Sequence, residues 1–140
     1  MKGYKNIIIP INGSLGPLKE GLKIAAAENC WVTVLKVLPP YEGDIDLTGI
    51  KDISDVLSSG RDQAVRTLRR AVRDEGGQAW VRIEEGVVSE TINRVAKEDD
   101  CDLIVMGSKS NRGILDRFLG DKTVEKVMHG APCSVRVVNV

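Results

Sequence analysis

The chain has 140 residues, of which 42% are hydrophobic and 29% charged. This composition is typical of a globular protein, and we predict a single domain over residues 1–140. Twenty Lys and Arg balance twenty Asp and Glu, so the formal net charge is zero, which argues against nucleic acid or an anionic membrane as partner. No apolar run is long enough for a membrane span or a secretory signal, and three widely separated cysteines favour free thiols in the cytoplasm.

Short apolar runs alternate with longer amphipathic patterns along the chain. The short runs predict five strands: Lys5–Ile11, Trp31–Leu38, Ala79–Ile83, Asp102–Met106 and Cys133–Asn139. The amphipathic patterns predict four helices: Pro17–Asn29, Ser54–Glu75, Ser89–Glu98 and Asp121–His129. Ser89 is the predicted N-cap of the third helix. The stretch Tyr41–Ile53 has no clear period, and we expect a surface loop there.

Strands that alternate with helices pair in parallel through right-handed crossovers. We therefore predict one doubly wound five-stranded parallel sheet with helices on both faces and the strand order 3-2-1-4-5. The order reverses between the first and fourth strands, and open sheets of this kind bind ligands at that reversal, beyond the carboxyl ends of the strands. The loops Asn12–Gly16 and Gly107–Gly120 lie at this point of the predicted sheet.

The loop after the fourth strand combines glycine with positive charge. The residues concerned are Gly107, Gly113, Gly120, Lys109, Arg112 and, just beyond, Lys122. Glycines let a backbone approach a ligand closely, and free amides at the start of the following helix favour an anion. By itself the pattern is a weak indication of phosphate binding, and it is not a P-loop because it contains neither Gly-Lys-Ser nor Gly-Lys-Thr.

Three segments resemble the universal stress protein family. Ile8–Ser14 is similar to the family's opening, and Asp102–Ser108 and Glu125–Cys133 are similar to its closing signature. The segments occur in the family's order and spacing, and the resemblance extends from about residue 5 to residue 140. It implies an adenine nucleotide alpha hydrolase-like fold and a cytoplasmic dimer. It also implies ATP binding, which many members show without being established enzymes.

The resemblance also implies a binding pattern for ATP. The family's pattern is Gly, two residues, Gly, nine residues, Gly, then Ser or Thr, and Gly107 and Gly120 match it. Ser110 replaces the middle glycine, Asp121 replaces the hydroxyl residue, and Asn12 stands where an Asp is usual.

By the same resemblance, the residues near a bound ATP form three groups. Val37 and Met106 would lie near the adenine, and Asn12 near the base or the ribose. The phosphates would lie near Lys109, Ser110, Asp121, Lys122 and Thr123.

Each departure from the pattern also has a purely structural explanation. Asp is among the preferred N-cap residues, and we favour capping of the last helix over direct ligand contact for Asp121. Ser110 is explained as an ordinary loop residue, and Asn12 before Gly13 as a common turn pair.

We expect ATP to bind more weakly than in members with the full pattern, mainly because of Asp121. A carboxylate about 5 Å from a phosphate charge costs roughly 3 kcal/mol at an effective dielectric constant of about 20. Nearby cations offset part of this repulsion. A Mg²⁺ ion bridging Asp121 to the phosphates would reverse its sign.

The resemblance implies a stress-response regulator that acts through contacts with an unidentified protein partner, either tuned by weak ATP binding or free of nucleotide. The alternative is an ATP-hydrolysing or phosphate-transferring enzyme that uses the same loop. Enzymatic activity is less favoured because the lone His129 completes no evident catalytic set, and we expect no metal site in the protein itself. A signalling receiver domain is rejected because Asn12 and its neighbours provide no acids at the end of the first strand.

The last predicted strand lies at an edge of the sheet. It is rich in β-branched residues and lacks proline, and an edge of this kind tends to recruit another strand. We therefore predict a homodimer that pairs through this strand, as the resemblance also implies. The alternative is a monomer whose edge is protected by Arg136 and Asn139.

Overall fold

The computed structural model describes residues 3–12, 14–38, 53–108 and 121–139; the side chains of residues 53–59 and of Asp121 lie outside this description. The strands in this part of the chain are β1 (Asn6–Pro10), β2 (Trp31–Leu38), β3 (Trp80–Glu85), β4 (Leu103–Ser108) and β5 (Ser134–Asn139). The helices are α1 (Gly16–Glu28), α2 (Ile53–Asp74), α3 (Val88–Glu98) and α4 (Asp121–Gly130). The predicted loop Tyr41–Ile53 lies outside the described residues, except that α2 already begins at Ile53.

The five strands form one parallel sheet in the order β3-β2-β1-β4-β5. This order confirms the predicted doubly wound fold. β1 is the central strand, and its Ile8 pairs with Thr33 of β2 on one side and with Ile104 of β4 on the other. Ile7, Ile8 and Ile9 are fully buried, as expected for a parallel strand that is covered on both faces.

Alternate residues of β1 enter two separate apolar cores, one on each face of the sheet. Ile7 packs with Leu18 of α1 in the first core, to which α2 also contributes. Ile8 packs with Ile92 of α3 and Val127 of α4 in the second core. Because side chains alternate between the two faces of a strand, Ile7 and Ile9 pack on the side of α1 and α2, and Ile8 packs on the side of α3 and α4.

The ends of α1 follow from its sequence. Pro17 lies in the first turn, where its missing N–H would have had no intrahelical partner. Asn29 follows the helix in the left-handed conformation at φ 56°, and its N–H donates to the carbonyl of Ala25. A left-handed residue after the last turn is a common helix end, and Asn is one of the residues that tolerates it.

The predicted cap of α3 is wrong. The N-cap residue is Val87, in extended conformation and without a side-chain capping bond, and Ser89 is a buried residue inside the first turn. The helix begins earlier because Gly86, at φ 150°, provides the preceding turn. Ser89 therefore has a packing role at the start of α3.

One glycine sets the distance between α1 and the sheet. A Cβ built on Gly21 would overlap Ile9 Cδ1 and would lie 2.8 Å from Ile9 Cγ1. Both contacts are with a fully buried side chain of the central strand. The helix can pack this closely against β1 only because residue 21 has no side chain.

We predict that Gly21→Ala destabilises the protein by about 1–3 kcal/mol, because the added methyl overpacks the first core. Gly60→Ala is the matched control: Gly60 is an exposed residue of α2, and a Cβ there meets nothing within 4 Å. The control should stabilise the helix by up to about 1 kcal/mol. Urea denaturation of both variants tests this, and equal shifts in the same direction would contradict the packing argument.

An ion-pair network joins edge strand β3 to the end of α3. Arg82 donates to Glu84 (3.1 Å), Glu98 (2.7 Å) and Asp99 (3.2 Å). Arg94 of α3 donates to the second oxygen of Glu84 (2.9 Å). The bond from Arg94, and after it the bond from Arg82, hold the pKa of the Glu84 carboxyl below its usual range.

We predict that Glu84→Gln lowers stability by roughly 0.5–1 kcal/mol at neutral pH. Since the folded pKa is depressed, the charged carboxylate stabilises the fold above its unfolded pKa of about 4.3, and that stability is lost as pH falls through the lower folded value. The native chain should therefore lose stability more steeply in acid than the variant does. Thermal unfolding from pH 7 to pH 3 tests this, with Glu125→Gln of exposed Glu125 as control; parallel curves for native protein and Glu84→Gln would contradict it.

Candidate functional site

The candidate site lies where the strand order reverses, at the carboxyl ends of β1, β2 and β4. Ile8 of β1 aligns with Thr33 of β2 and with Ile104 of β4. Continuing this register by four residues puts Asn12, Val37 and Ser108 at one level along the three strands. Three segments distant in sequence are therefore brought to one edge of the sheet.

Two predicted adenine-contact residues lie together in the second core. Val37 and Met106 pack in the same cluster as Ile8, on the face covered by α3 and α4. They are 9% and 5% exposed. They form an apolar surface below the edge, of which a ligand could contact only the outer atoms.

Asn12 is exposed to solvent, unlike the buried Val37 and Met106. It follows Ile11, whose N–H donates to the carbonyl of Leu35 at 2.8 Å, so hydrogen bonding between β1 and β2 continues beyond the end of β1. This bond fixes the backbone immediately before Asn12, whose side chain is exposed. A primary amide here can both donate and accept hydrogen bonds.

The end of β4 differs from the prediction. The strand continues to Ser108 instead of ending at Met106, because β5 keeps pairing with it: Gly107 aligns with Val138 and Ser108 with Asn139. Gly107 is thus a strand residue and not the first residue of a loop. Ser108 is a buried polar residue at this edge, and sequence reasoning did not assign it to the site. The available signal was the length of the last apolar run, which continues to Asn139, the residue that aligns with Ser108.

Helix N-termini supply positive potential at this edge. In a parallel doubly wound sheet each helix returns antiparallel to the strands, so α1 and α3 begin here. Neither N-cap residue makes a side-chain capping bond. In α1 the N–H of Gly16 donates to Ser14 Oγ at 3.2 Å and Pro17 has no N–H, so few amides of that first turn remain free. The helix dipoles favour an anion near both helix starts.

The remaining predicted phosphate contacts are only partly described. Lys122 is exposed and Thr123 half-buried in the first turn of α4. Lys109, Ser110 and Gly120 lie outside the described residues, as does the side chain of Asp121. Capping by Asp121 therefore stays a prediction.

Other chemistry-bearing groups lie away from this edge. The thiols of Cys30, Cys101 and Cys133 are free, and burial raises the pKa of Cys101 to about 12. Among the described residues no three His, Cys, Asp or Glu side chains could share a metal ion. None of the described helices is long and apolar enough to cross a membrane.

Fold and edge geometry define a doubly wound α/β protein whose candidate site lies at the sheet's switch point. The chain belongs to the universal stress protein family, whose sequence model matches residues 3–139. A universal stress protein of Methanocaldococcus jannaschii is 32% identical over 145 residues, covering 96% of this chain and 82% of that protein. The resemblance seen in the sequence is confirmed.

Solved structures share the fold. The universal stress protein UspA from Lactobacillus plantarum superposes with a TM-score of 0.78 at 24% identity, over 97% of this chain and 98% of that one. A universal stress protein in complex with cAMP gives 0.69 at 20% identity, and one from Archaeoglobus fulgidus in complex with dAMP gives 0.65 at 22%; each match covers 98% of both chains.

Proposed function

We propose that this universal stress protein is a regulator that binds an adenine nucleotide weakly at the edge between β1 and β4 and acts through contacts with another protein. The observation that carries the proposal is that Asn12 and Val37 lie at one level of the sheet, with Met106 two residues below that level on β4. An apolar surface beside an exposed amide suits a heterocyclic base that carries hydrogen-bonding groups.

The electrostatics of the edge support an anionic ligand. α1 and α3 begin at this edge, where their helix dipoles favour an anion. α4 begins at Asp121, directly after Gly120 in the sequence. In the proposed complex, Val37 and Met106 contact the base, and Asn12 bonds the base or the ribose. Lys109, Ser110, Lys122 and Thr123 approach the phosphates.

The ligands of two structural neighbours support an adenine nucleotide as the ligand class. Those two proteins were solved in complex with cAMP and with dAMP, which share an adenine, a sugar and a single phosphate. Our proposal for this chain extends to ATP, with Mg²⁺ when it binds. The carboxylate of Asp121 would oppose the phosphates without metal and would provide an oxygen ligand with it.

We also propose that the protein is a homodimer built on β5. Val137 of this edge strand is 39% exposed. Arg136 donates to Glu20 of α1 at 2.8 Å, which holds it over the face of the sheet and away from the free edge. That contact weakens the alternative in which Arg136 protects the edge.

We propose the cytoplasm as the location of the protein, which the three free thiols support because disulfides are rare there.

For the nucleotide, we predict that Asp121→Ser combined with Ser110→Gly tightens ATP binding by about tenfold to a hundredfold without metal, because the repelling carboxylate is removed. Calorimetric titration with and without Mg²⁺ measures this. Micromolar or tighter affinity of the native chain without metal, or no gain in the double variant, would contradict the role given to Asp121.

A second pair of variants tests the location of the site. Asn12→Ala should weaken binding about tenfold and leave unfolding unchanged, since the side chain is exposed. Gln78→Ala removes an exposed amide at the opposite end of the sheet and should change neither property. Equal effects of the two substitutions would place the nucleotide elsewhere.

For the dimer, we predict that Val137→Lys yields a monomer, because a lysine on an edge strand opposes pairing with a second edge. Light scattering at micromolar concentration measures the mass. Val87→Lys, at a similarly exposed valine before α3, should leave the dimer intact. A monomeric native chain, or a Val137→Lys variant that remains dimeric, would rule out pairing through β5.

A further inference from the structure

The aromatic residues of this protein are placed unusually. The chain has two Trp, two Tyr and one Phe, and none of them belongs to either of the two cores in the described residues. The described ones are Tyr4, Trp31 and Trp80, which are 37%, 68% and 67% exposed. All three lie at the amino end of the sheet, opposite the candidate nucleotide site. Because tryptophan is on average a highly buried residue, two that are two-thirds exposed indicate a surface with a function.

The two tryptophans occupy one face of neighbouring strands. Trp80 of β3 aligns with Thr33 of β2, and Trp31 precedes Thr33 by two residues. Side chains two apart on a strand share a face, so Trp31, Thr33 and Trp80 lie on the same side of the sheet. The two Cα atoms are diagonal neighbours about 8 Å apart, within reach of two indole side chains.

Two adjoining hollows surround these rings. One, of about 440 Å³, is lined by Trp31 and Trp80 together with Asn29 and Cys30. The other, of about 470 Å³, is lined by the same two tryptophans together with Asp99 and its ion-pair partner Arg82. Each volume is that of a small-molecule or side-chain pocket. We call the surface made by Trp31, Thr33, Trp80 and Asp99 the tryptophan face.

Two helix C-termini contribute negative potential to the tryptophan face. The C-cap of α1 is Asn29, and that of α3 is Asp99; each lines one of the hollows. The last carbonyls of a helix and its dipole give this end a partial negative charge that favours cations. The arrangement is the electrostatic opposite of the nucleotide edge.

Carboxylates strengthen this potential and outnumber the cations around it. The carboxylates are Glu28, Glu98, Asp99, Asp100 and Asp102, and the cations are Lys5, Arg82, Arg94 and Lys97. Arg82 already bonds Glu98 and Asp99, and Arg94 bonds Glu98.

The raised pKa values of the thiols in the two hollows agree with a negative potential there. Burial raises the pKa of Cys30, and the carboxylates of Asp102 and Glu28 raise it further. Burial and then chiefly Asp99 raise the pKa of Cys101, which lines the second hollow. Every side chain that contributes charge to these two shifts is an acid or another thiol.

We propose that the tryptophan face binds a basic segment of a partner protein, with an Arg or Lys side chain of that segment lying over the indole rings. A cation over a Trp ring gains electrostatic attraction from the π system, and Arg additionally stacks on it. The acidic surround and the helix C-termini complement the rest of a basic segment. The proposal goes beyond nucleotide binding, since it concerns the other end of the sheet and names the chemistry of the partner.

The same charges disfavour the other occupants of an exposed aromatic surface. A second copy of the chain meeting this face through a two-fold axis would bring Asp99 and Asp100 against their own copies. A nucleotide or nucleic acid would place phosphates against the same carboxylates. A purely apolar segment would gain nothing from the acidic surround.

The experiment uses the protein's own fluorescence. Trp31 and Trp80 are the only tryptophans of the chain, so its indole emission reports on this face alone. The probe is an acetylated and amidated peptide of alternating Gly and Arg, and its matched control has citrulline, a neutral isostere, in place of Arg. We expect a saturable change in emission with the Arg peptide, with a dissociation constant below about 1 mM that weakens with added salt. The citrulline peptide should bind at least about tenfold more weakly.

Three variants locate the interaction. Trp31→Ala and Trp80→Ala should each weaken binding about tenfold, measured calorimetrically or by the remaining indole. Asp100→Asn should weaken it severalfold while keeping the fold, since Asp100 has φ 50° and Asn tolerates that conformation. Met128→Ala, at an apolar residue of α4 that is 57% exposed, should have no effect.

Each contrary outcome overturns the proposal. If the Arg peptide causes no saturable change, the face does not bind a basic segment. If the citrulline peptide binds equally well, the interaction does not depend on the cation. If emission and mass both depend on protein concentration without peptide, a second copy of the chain occupies the face.

Discussion

The structure depends on one constraint: the strands of the sheet run parallel, so every helix that connects them must run back the other way. The carboxyl ends of the strands then meet the helix N-termini, and the amino ends of the strands meet the helix C-termini. Fixed dipoles make the first end favourable to anions and the second to cations. Asn12 and the starts of α1 and α3 lie at the first end, and Trp31 and Trp80 lie at the second. The polarity of both surfaces is therefore a property of the fold before any side-chain charge is counted.

The central strand holds these two ends together. Ile7, Ile8 and Ile9 are fully buried and alternate between the two cores, so β1 contributes to the packing on both faces of the sheet. Gly21 lets α1 approach this strand closely. Edge strand β3 has less apolar support on the α3 side, where Trp80 remains exposed, and the ion pairs of Arg82 connect it to α3. The edge that these ion pairs connect to α3 is thus also the edge at which an aromatic side chain stays exposed.

Sequence reasoning predicted the elements and the strand order, because these follow from hydrophobic period and from the rules for parallel sheets. The placement of Asn12, Val37 and Met106 near a ligand came from the family resemblance and stays a prediction. Both ends of β2 were predicted correctly, since a turn precedes Trp31 and two prolines follow Leu38. The end of β4 was not, because strand length depends on how far β5 continues to pair with it. The cap of α3 was wrong because Ser89 is a good cap in isolation, whereas the backbone at Gly86 starts the helix earlier. The tryptophan face was missed because β-propensity places Trp in a strand without saying whether a helix covers it.

The positions of the charged residues say more about possible partners than the zero net charge of the chain does. A balanced sequence excludes strong long-range attraction to polyanions, and this was the ground for setting aside nucleic acid and membranes. It does not make the molecule electrically uniform, because potentials near the surface come from charges within about one Debye length. Asp99, Asp100 and Asp102 cluster at one end, while the starts of α1 and α3 lie at the other. A neutral protein of this fold can therefore present an anion-binding edge and a cation-binding face about one strand length apart, and partner choice at each depends on local geometry and not on the isoelectric point.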